Sequence, residues 1–292
     1  MSLLCSVDAA LTIMGSTQSG NTLTAADRLK LQGNLRVATK RVNERFRAIH
    51  PPFLPAFEPW KATRKYPVEA DHIQSGNNTF HLDDWLLALS GTIGVAGTNI
   101  TAVETYPDSS YPPFKLLRMT DWSQSWYDFC DSTGAPLQLS VPGTWGFNRD
   151  YAHAWLAVDA LAAGINASVT SFTVADVEGD DPNGIPVRIS PGHLLKIDDE
   201  YLEVASTNTG TNTVTVKRGV NGTTAAVHLI DAIVYRWQVE EDIQRAVARQ
   251  SGLMFSRFGA YTTVEVQGMS EVRFPNDWLH EALAIMDAYN YG

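Results

Sequence analysis

Between Leu194 and His228, in LLKIDDEYLEVASTNTGTNTVTVKRGVNGTTAAVH, the adjacent acids Asp198, Asp199 and Glu200 are followed by Arg218 and His228. In an extended strand alternate residues point to the same side, so Asp198 and Glu200 can share a face, as paired carboxylates in a hydrolase must. A catalytic set needs more than this. The sequence around them offers no Ser or Cys nucleophile motif, no His pair at metal-binding spacing and no glycine loop that would cradle phosphate. Arg218-Gly219 followed by Asn221-Gly222-Thr223 reads as a turn, because Asn-Gly favours positive φ. His228 is expected to cap or bond a neighbouring loop. Ile197, Asp198, Glu200, Arg218, Gly219, Gly222, Thr223 and His228 therefore read as the framework of a small β module. No catalytic residue, metal ligand or cofactor is assigned.

Other groupings give the same answer. Asp83 and Asp84 are neighbours, which do not share a face, and no third partner lies near them in sequence; the stretch Leu82-Asp83-Asp84-Trp85 is expected to begin a turn or short helix. The acidic loop Asp176 to Gly184 resembles a cation loop in composition, but it lacks EF-hand spacing and is interrupted by Pro182. The histidines are scattered, with no i, i+4 pair. Trp122, Trp126, Tyr127 and Phe129 could stack on a sugar, although aromatics at this spacing more often serve a core or a subunit contact.

The elements that must position these residues form an α+β pattern. Thr24 to Ile49 predicts a long amphipathic helix: Thr24 stands as N-cap, and Leu31, Leu35, Val42, Phe46 and Ile49 recur at helical spacing. Its basic residues Arg36, Lys40, Arg41 and Arg45 gather toward the C-terminal half, where they suit the helix dipole. The Pro-dense HPPFLPAFEPW cannot continue it. Thr63 to Asn148 reads as short strands and long turns, and Asp150 to Gly164 as a brief helix or exposed linker. Asn166 to Arg236, with β-branched alternation and closely spaced turns, predicts a small β-barrel or sandwich. A helix over Val239 to Phe258, two strands, and a closing helix with Trp278, Leu279, Leu283, Met286 and Tyr289 complete the chain.

Composition excludes several classes. At 292 residues the chain has length for roughly two domains, and 44% hydrophobic with 18% charged residues is a globular balance. A net charge of −10 argues against binding a nucleic-acid backbone. Two cysteines, Cys5 and Cys130, are too few for a disulfide framework or a cysteine zinc site. No apolar run reaches a membrane span, and the opening MSLLCSVDAALTIMG lacks a basic n-region, so a soluble protein made in the cytoplasm is expected.

The pattern Ile197-Asp198-Asp199-Glu200, then Val214-Thr215-Val216-Lys217-Arg218-Gly219-Val220-Asn221-Gly222-Thr223 and His228, resembles a module of tailed-bacteriophage virion proteins. Phe80 to Phe147, with Leu82-Asp83 early and Val141-Pro142-Gly143-Thr144-Trp145-Gly146-Phe147 late, looks like the β part of head-to-tail connector proteins, the adaptor or head completion family. There the Trp-Gly-aromatic close leads directly to a helix of the type at Val239 to Phe258; here Arg149 to Gln238 intervenes. The resemblance thus implies a discontinuous α+β adaptor domain, residues 1–149 and 239–292, with a small β-barrel or sandwich inserted at 150–238. It further implies a homo-oligomeric ring, usually dodecameric, located in the virion neck after synthesis in the host bacterial cytoplasm. Its partners would be further copies of itself, the portal protein, and a tail-side stopper or tail terminator protein. DNA would pass through the lumen without sequence-specific binding, no membrane would be involved, and no residue would perform catalysis. Arg36, Lys40, Arg41, Arg45, Trp278, Leu279, Leu283, Met286 and Tyr289 are the expected subunit and portal contacts. The alternative is another tail or baseplate structural protein that binds a glycan or receptor through the β module.

Overall fold

The computed structural model describes residues 2–14, 23–49, 57–68, 79–95, 98–106, 112–120, 130–185, 187–260 and 284–285. Helices lie toward both ends of the chain and β structure fills the centre. The chain divides into two compact units, Met1–Ile49 with Trp155–Gly292, and His50–Ala154. By packing, the helices group with the β structure after Trp155, whereas the sequence reading set them with residues up to 149.

In the first unit, α1 (Val7–Ile13) is capped by Ser6, whose Oγ accepts from Ala9 N at 3.2 Å. In α2 (Ala25–Ile49), Thr24 Oγ1 accepts from Asp27 N at 3.2 Å and donates to the Asp27 carboxylate at 2.6 Å. One free helix N–H is thereby satisfied, and an acid sits where the dipole favours it. Leu31, Leu35, Val42 and Phe46 are buried on one face of α2. The last helix, α3 (Glu241–Ala260), buries Ile243, Ala246 and Val247 and packs against both α1 and α2.

Cys5 lies in the buried segment that enters α1, and burial pushes its thiol up to about 12, so thiolate is scarce there. In folded protein at neutral pH, a disulfide-exchange reagent is expected to titrate partly exposed Cys130 and spare Cys5, with both reacting in denaturant. Rapid labelling of Cys5 in folded protein would show that this segment is not packed as described.

The second unit is one antiparallel sheet. Its strands are β1 (Trp60–Pro67), β2 (Thr79–Leu89), β3 (Ile93–Val95), β4 (Thr98–Ile100), β5 (Val103–Tyr106), β6 (Phe114–Met119) and β7 (Gln138–Trp145). β7 pairs along its whole length with β1, while its other edge is shared between β3 and the end of β2. Phe80, Leu86, Ile93, Leu117, Leu139, Val141 and Trp145 form the core. The expected turn at Leu82–Trp85 is not there: these residues lie inside β2, across a register shift between His81 and Leu86. The irregular pairing there displaces the alternation that would have marked the strand.

A second sheet belongs to the first unit. It comprises β8 (Trp155–Ala160), β9 (Ser171–Thr173), β10 (Leu194–Ile197), β11 (Glu200–Asn208), β12 (Thr213–Lys217) and β13 (Ile233–Trp237), in the order β8-β13-β10-β11-β12-β9. The two edge strands meet at the isolated bridge Leu161↔Val174, which nearly closes the sheet into a barrel. Leu195, Ile197, Leu202, Val214, Val234 and Ile189 fill it. The stretch expected to be a helix or linker, Asp150 to Gly164, is instead a short 3₁₀ turn at Tyr151–His153 followed by β8. Pairing with β13, in which Trp155 stands opposite Trp237, decides this against local Ala-rich helix propensity. The two indoles touch at a ring separation of 5.0 Å.

Candidate functional site

The β10–β11 hairpin turns through two residues, with Ile197 opposite Glu200. Asp198 adopts φ 50°, a left-handed conformation that Asp tolerates better than most residues. Asp198 is therefore a turn residue and does not alternate with Glu200 along a strand. The two still reach one side chain: His228 Nδ1 lies 2.7 Å from Asp198 Oδ2, and His228 Nε2 lies 2.9 Å from Glu200 Oε2.

Glu200 is the centre of the arrangement, its side chain wholly buried. Arg218 grips it with two parallel bonds, Nε to Oε1 and Nη2 to Oε2, both 2.6 Å. Gly219 N donates to Oε1 at 3.0 Å, and Ala226 N to Oε2 at 2.9 Å. The rest of the guanidinium serves the backbone carbonyls of Asn166 (3.0 Å), Val169 (2.8 Å) and Ala226 (2.6 Å). Burial alone would raise the Glu200 carboxyl, but Arg218, Ala226 N–H, His228 and Gly219 N–H together outweigh it and hold it at about 2. An ionised carboxylate accepting from Arg218 twice, Gly219, Ala226 and His228 has no lone pair left for a substrate or a proton in flight.

The turn after β12 is stitched to the same place. Gly219, Asn221 and Gly222 all have positive φ, at 60°, 50° and 80°. Thr223 Oγ1 accepts from Tyr201 N at 3.0 Å and donates to Val220 O at 2.8 Å. Ile197, beside the turn, is in the barrel core. The structure thus brings Ile197, Asp198, Glu200, Arg218, Gly219, Gly222, Thr223 and His228 into one connected arrangement.

The network carries a pH signature. The Glu200 carboxyl sits lower in the folded chain than the 4.5 usual for glutamate. Its stabilising contribution is therefore fully present above about pH 4.5 and is lost as pH falls toward 2. Acid titration followed by circular dichroism should show a loss of barrel stability in that window. A Glu200→Gln chain that lost stability over the same window with the same slope would assign the effect elsewhere.

The second unit holds a cluster that sequence spacing did not reveal. Arg64 of β1 forks between two adjacent acids of β2, Nη1 to Asp83 at 2.9 Å and Nη2 to Asp84 at 2.7 Å, and the Tyr66 hydroxyl also donates to Asp83. Burial raises Asp84 against the opposing pull of Arg64, and burial lowers Lys115, whose ammonium lies 4.4 Å from the centre of the Trp85 ring. The partner of the acid pair was thus about twenty residues upstream, on a strand that reaches β2 only through β7. The one cue was the period-two pattern of Arg64 and Tyr66.

The acidic loop also closes on itself. Asp176 accepts from the N–H groups of Glu178 and Gly179, both at 3.0 Å, and Asp181 accepts from those of Asn183 (2.8 Å) and Ile185 (3.0 Å) while pairing with Arg236. Among the described residues no three His, Cys, Asp or Glu side chains converge as metal ligands would. A cavity of about 300 Å³ beside α1 is lined by Leu4, Ile13, Arg236, Trp237, Val239 and Gln244. Two of its polar side chains are engaged elsewhere: Arg236 holds Asp181 and the Arg188 carbonyl (2.9 Å), and Gln244 donates to Val239 O at 2.7 Å.

Of the expected contact residues, Arg36 and Lys40 are exposed on α2, and Arg41 and Arg45 are half-buried. Trp278, Leu279, Leu283, Met286 and Tyr289 lie outside the described residues, as do Trp122, Trp126, Tyr127 and Phe129. No described helix is long and apolar enough to cross a membrane. No family model, no curated protein and no solved structure matches the chain.

Proposed function

We propose that this chain is a structural virion protein of a tailed bacteriophage: a subunit of a homo-oligomeric ring that joins the portal at the capsid vertex to the tail and leaves a channel for DNA. The observation that carries this reading is the state of Glu200. The residues through which the chain resembles phage virion proteins form a buried, saturated ion network, which suits a permanent building block better than a catalyst. The resemblance of Phe80 to Phe147 to the adaptor β part supplies the position in the particle. In this reading residues 150–238 are an insertion into an adaptor composed of 1–149 and 239–292, and the ring is dodecameric as in the resembled family. The net charge of −10 accords with a lumen that repels DNA and lets it slide.

The test is electron microscopy of the full chain mixed with the portal protein of the same genome, averaged down the ring axis. A collar of regularly spaced subunits on the portal is the expected result. An undecorated portal with well-folded protein would overturn the adaptor position and direct the next assay to glycan binding by the β module.

A further inference from the structure

Resting on the ring reading, we propose that neighbouring copies join head to tail, the loop Val227–Ile233 of one copy seating on the outward stripe of α2 of the next. The loop inverts the usual pattern of a half-buried strand, in which apolar residues face inward and polar ones outward. Its inward position is taken by His228, at 2% exposure, while Val227 (67%), Leu229 (75%), Ile230 (58%) and Ile233 (43%) stand in solvent. Single exposed apolar residues are ordinary, but several on one short loop mark an interaction surface.

The loop is also held ready. Ile165 and His228 exchange backbone bonds, each 2.9 Å, and Asp231 N donates to Leu161 O at 3.0 Å. Beneath it lie the bonds from Ala226 N to Glu200 and from Arg218 to Ala226 O. A side chain on Gly164 would come within 3.3 Å of His228 O, so the neighbouring segment presses closely against the loop. A surface fixed in advance loses little entropy on docking. The Glu200 network thereby gains a purpose: it keeps four apolar side chains out of the barrel.

Charge selects the occupant. The exposed carboxylate of Asp231 lies on the loop and that of Asp198 meets it at His228 (2.7 Å), so the loop's partner should be apolar with a basic rim. The chain carries such a surface on α2. Leu29 (69% exposed), Gly33 and Val37 (46%) follow at i, i+4 and i+8, with exposed Arg36 alongside and Lys30 and Lys40 next to it, each in a solvent-exposed pair within the helix (Asp27 at 3.7 Å, Glu44 at 3.6 Å) that a docked carboxylate can join. Gly33 leaves a notch in the middle of the stripe: a Cβ there would meet nothing within 4 Å among the described residues. Glycine weakens a helix interior, and none of the described residues requires it at that point, whereas a docked side chain would use the space. Two unlike, complementary patches on one chain make a heterologous contact, and such contacts close into rings when the rotation permits.

Complementation of full-length chains tests this. Ile230→Asp disables the loop and Val37→Asp disables the stripe; both positions are solvent-facing, and circular dichroism verifies the fold of each variant. Sedimentation velocity is run over a concentration series, with and without the portal ring. Each variant alone is expected to self-associate about thirtyfold more weakly than the wild type. An equimolar mixture should form heterodimers and no larger species, because each chain retains one working patch. A second pair, Lys40→Glu with Asp231→Lys, should weaken association singly and recover it when mixed. Wild-type assembly that neither aspartate variant reduces, or variants that lose association and do not rescue one another, would overturn the head-to-tail pairing and leave the ring reading standing. A wild type that stays monomeric throughout, with the portal present, would overturn both.

Discussion

Glu200→Gln is expected to destabilise the first unit by about 3–5 kcal/mol, the usual consequence of removing one partner from a buried ion pair. Glutamine keeps the shape but presents an NH₂ group where Arg218, Ala226 N–H and His228 now donate, and it leaves the guanidinium charge uncompensated. The midpoint of urea unfolding should fall with little change in slope. The companion double variant, Glu200→Met with Arg218→Met, is expected to cost less than the sum of its single substitutions, because both charges leave together. A loss under about 0.5 kcal/mol for Glu200→Gln, the level of an ordinary surface substitution, would mean that the network is not closed as described.

In the second unit the largest effect is expected at Trp145. Its side chain is fully buried, Nε1 donates to Ala62 O at 2.9 Å, and the Arg64 guanidinium lies 4.6 Å from the ring centre. Trp145→Ala opens a cavity where β7 meets β1 and β2, at about 3–5 kcal/mol. Trp145→Phe keeps most of the volume and loses the hydrogen bond, worth about 1 kcal/mol, with a further penalty for the Ala62 carbonyl left without its donor. Hydrogen exchange gives the location: protection should fall in β1, β2 and β7 and persist in β10–β12. Uniform loss in both sheets would show that the two units unfold together.

Where one element's periodicity outweighed its surroundings, the sequence was readable. α2 shows its cap at Thr24 and its buried stripe at Leu31, Leu35, Val42 and Phe46 without reference to any other element. β10 to β12 were legible for the same reason, since β-branched alternation and Asn-Gly turns are local signals. β8 was not, because Ala-rich residues 155–163 favour a helix and only pairing with β13 makes a strand of them. The strand through Asp83 and Asp84 was read as a turn because its register is irregular there, and their partner Arg64 lies on β1, which reaches β2 only through β7. At the ion network, residue types and turn residues were visible in advance. The fact that His228 joins Asp198 to Glu200 depends on the fold alone. The inverted loop passed unnoticed because its apolar residues look like a core strand until their exposure is known.

The rung that sets Trp155 opposite Trp237 places the first and last strand residues of the barrel side by side. Such a unit begins and ends at one address. The chain therefore enters and leaves the barrel at neighbouring points, and little extra length is needed to connect it to what precedes and follows.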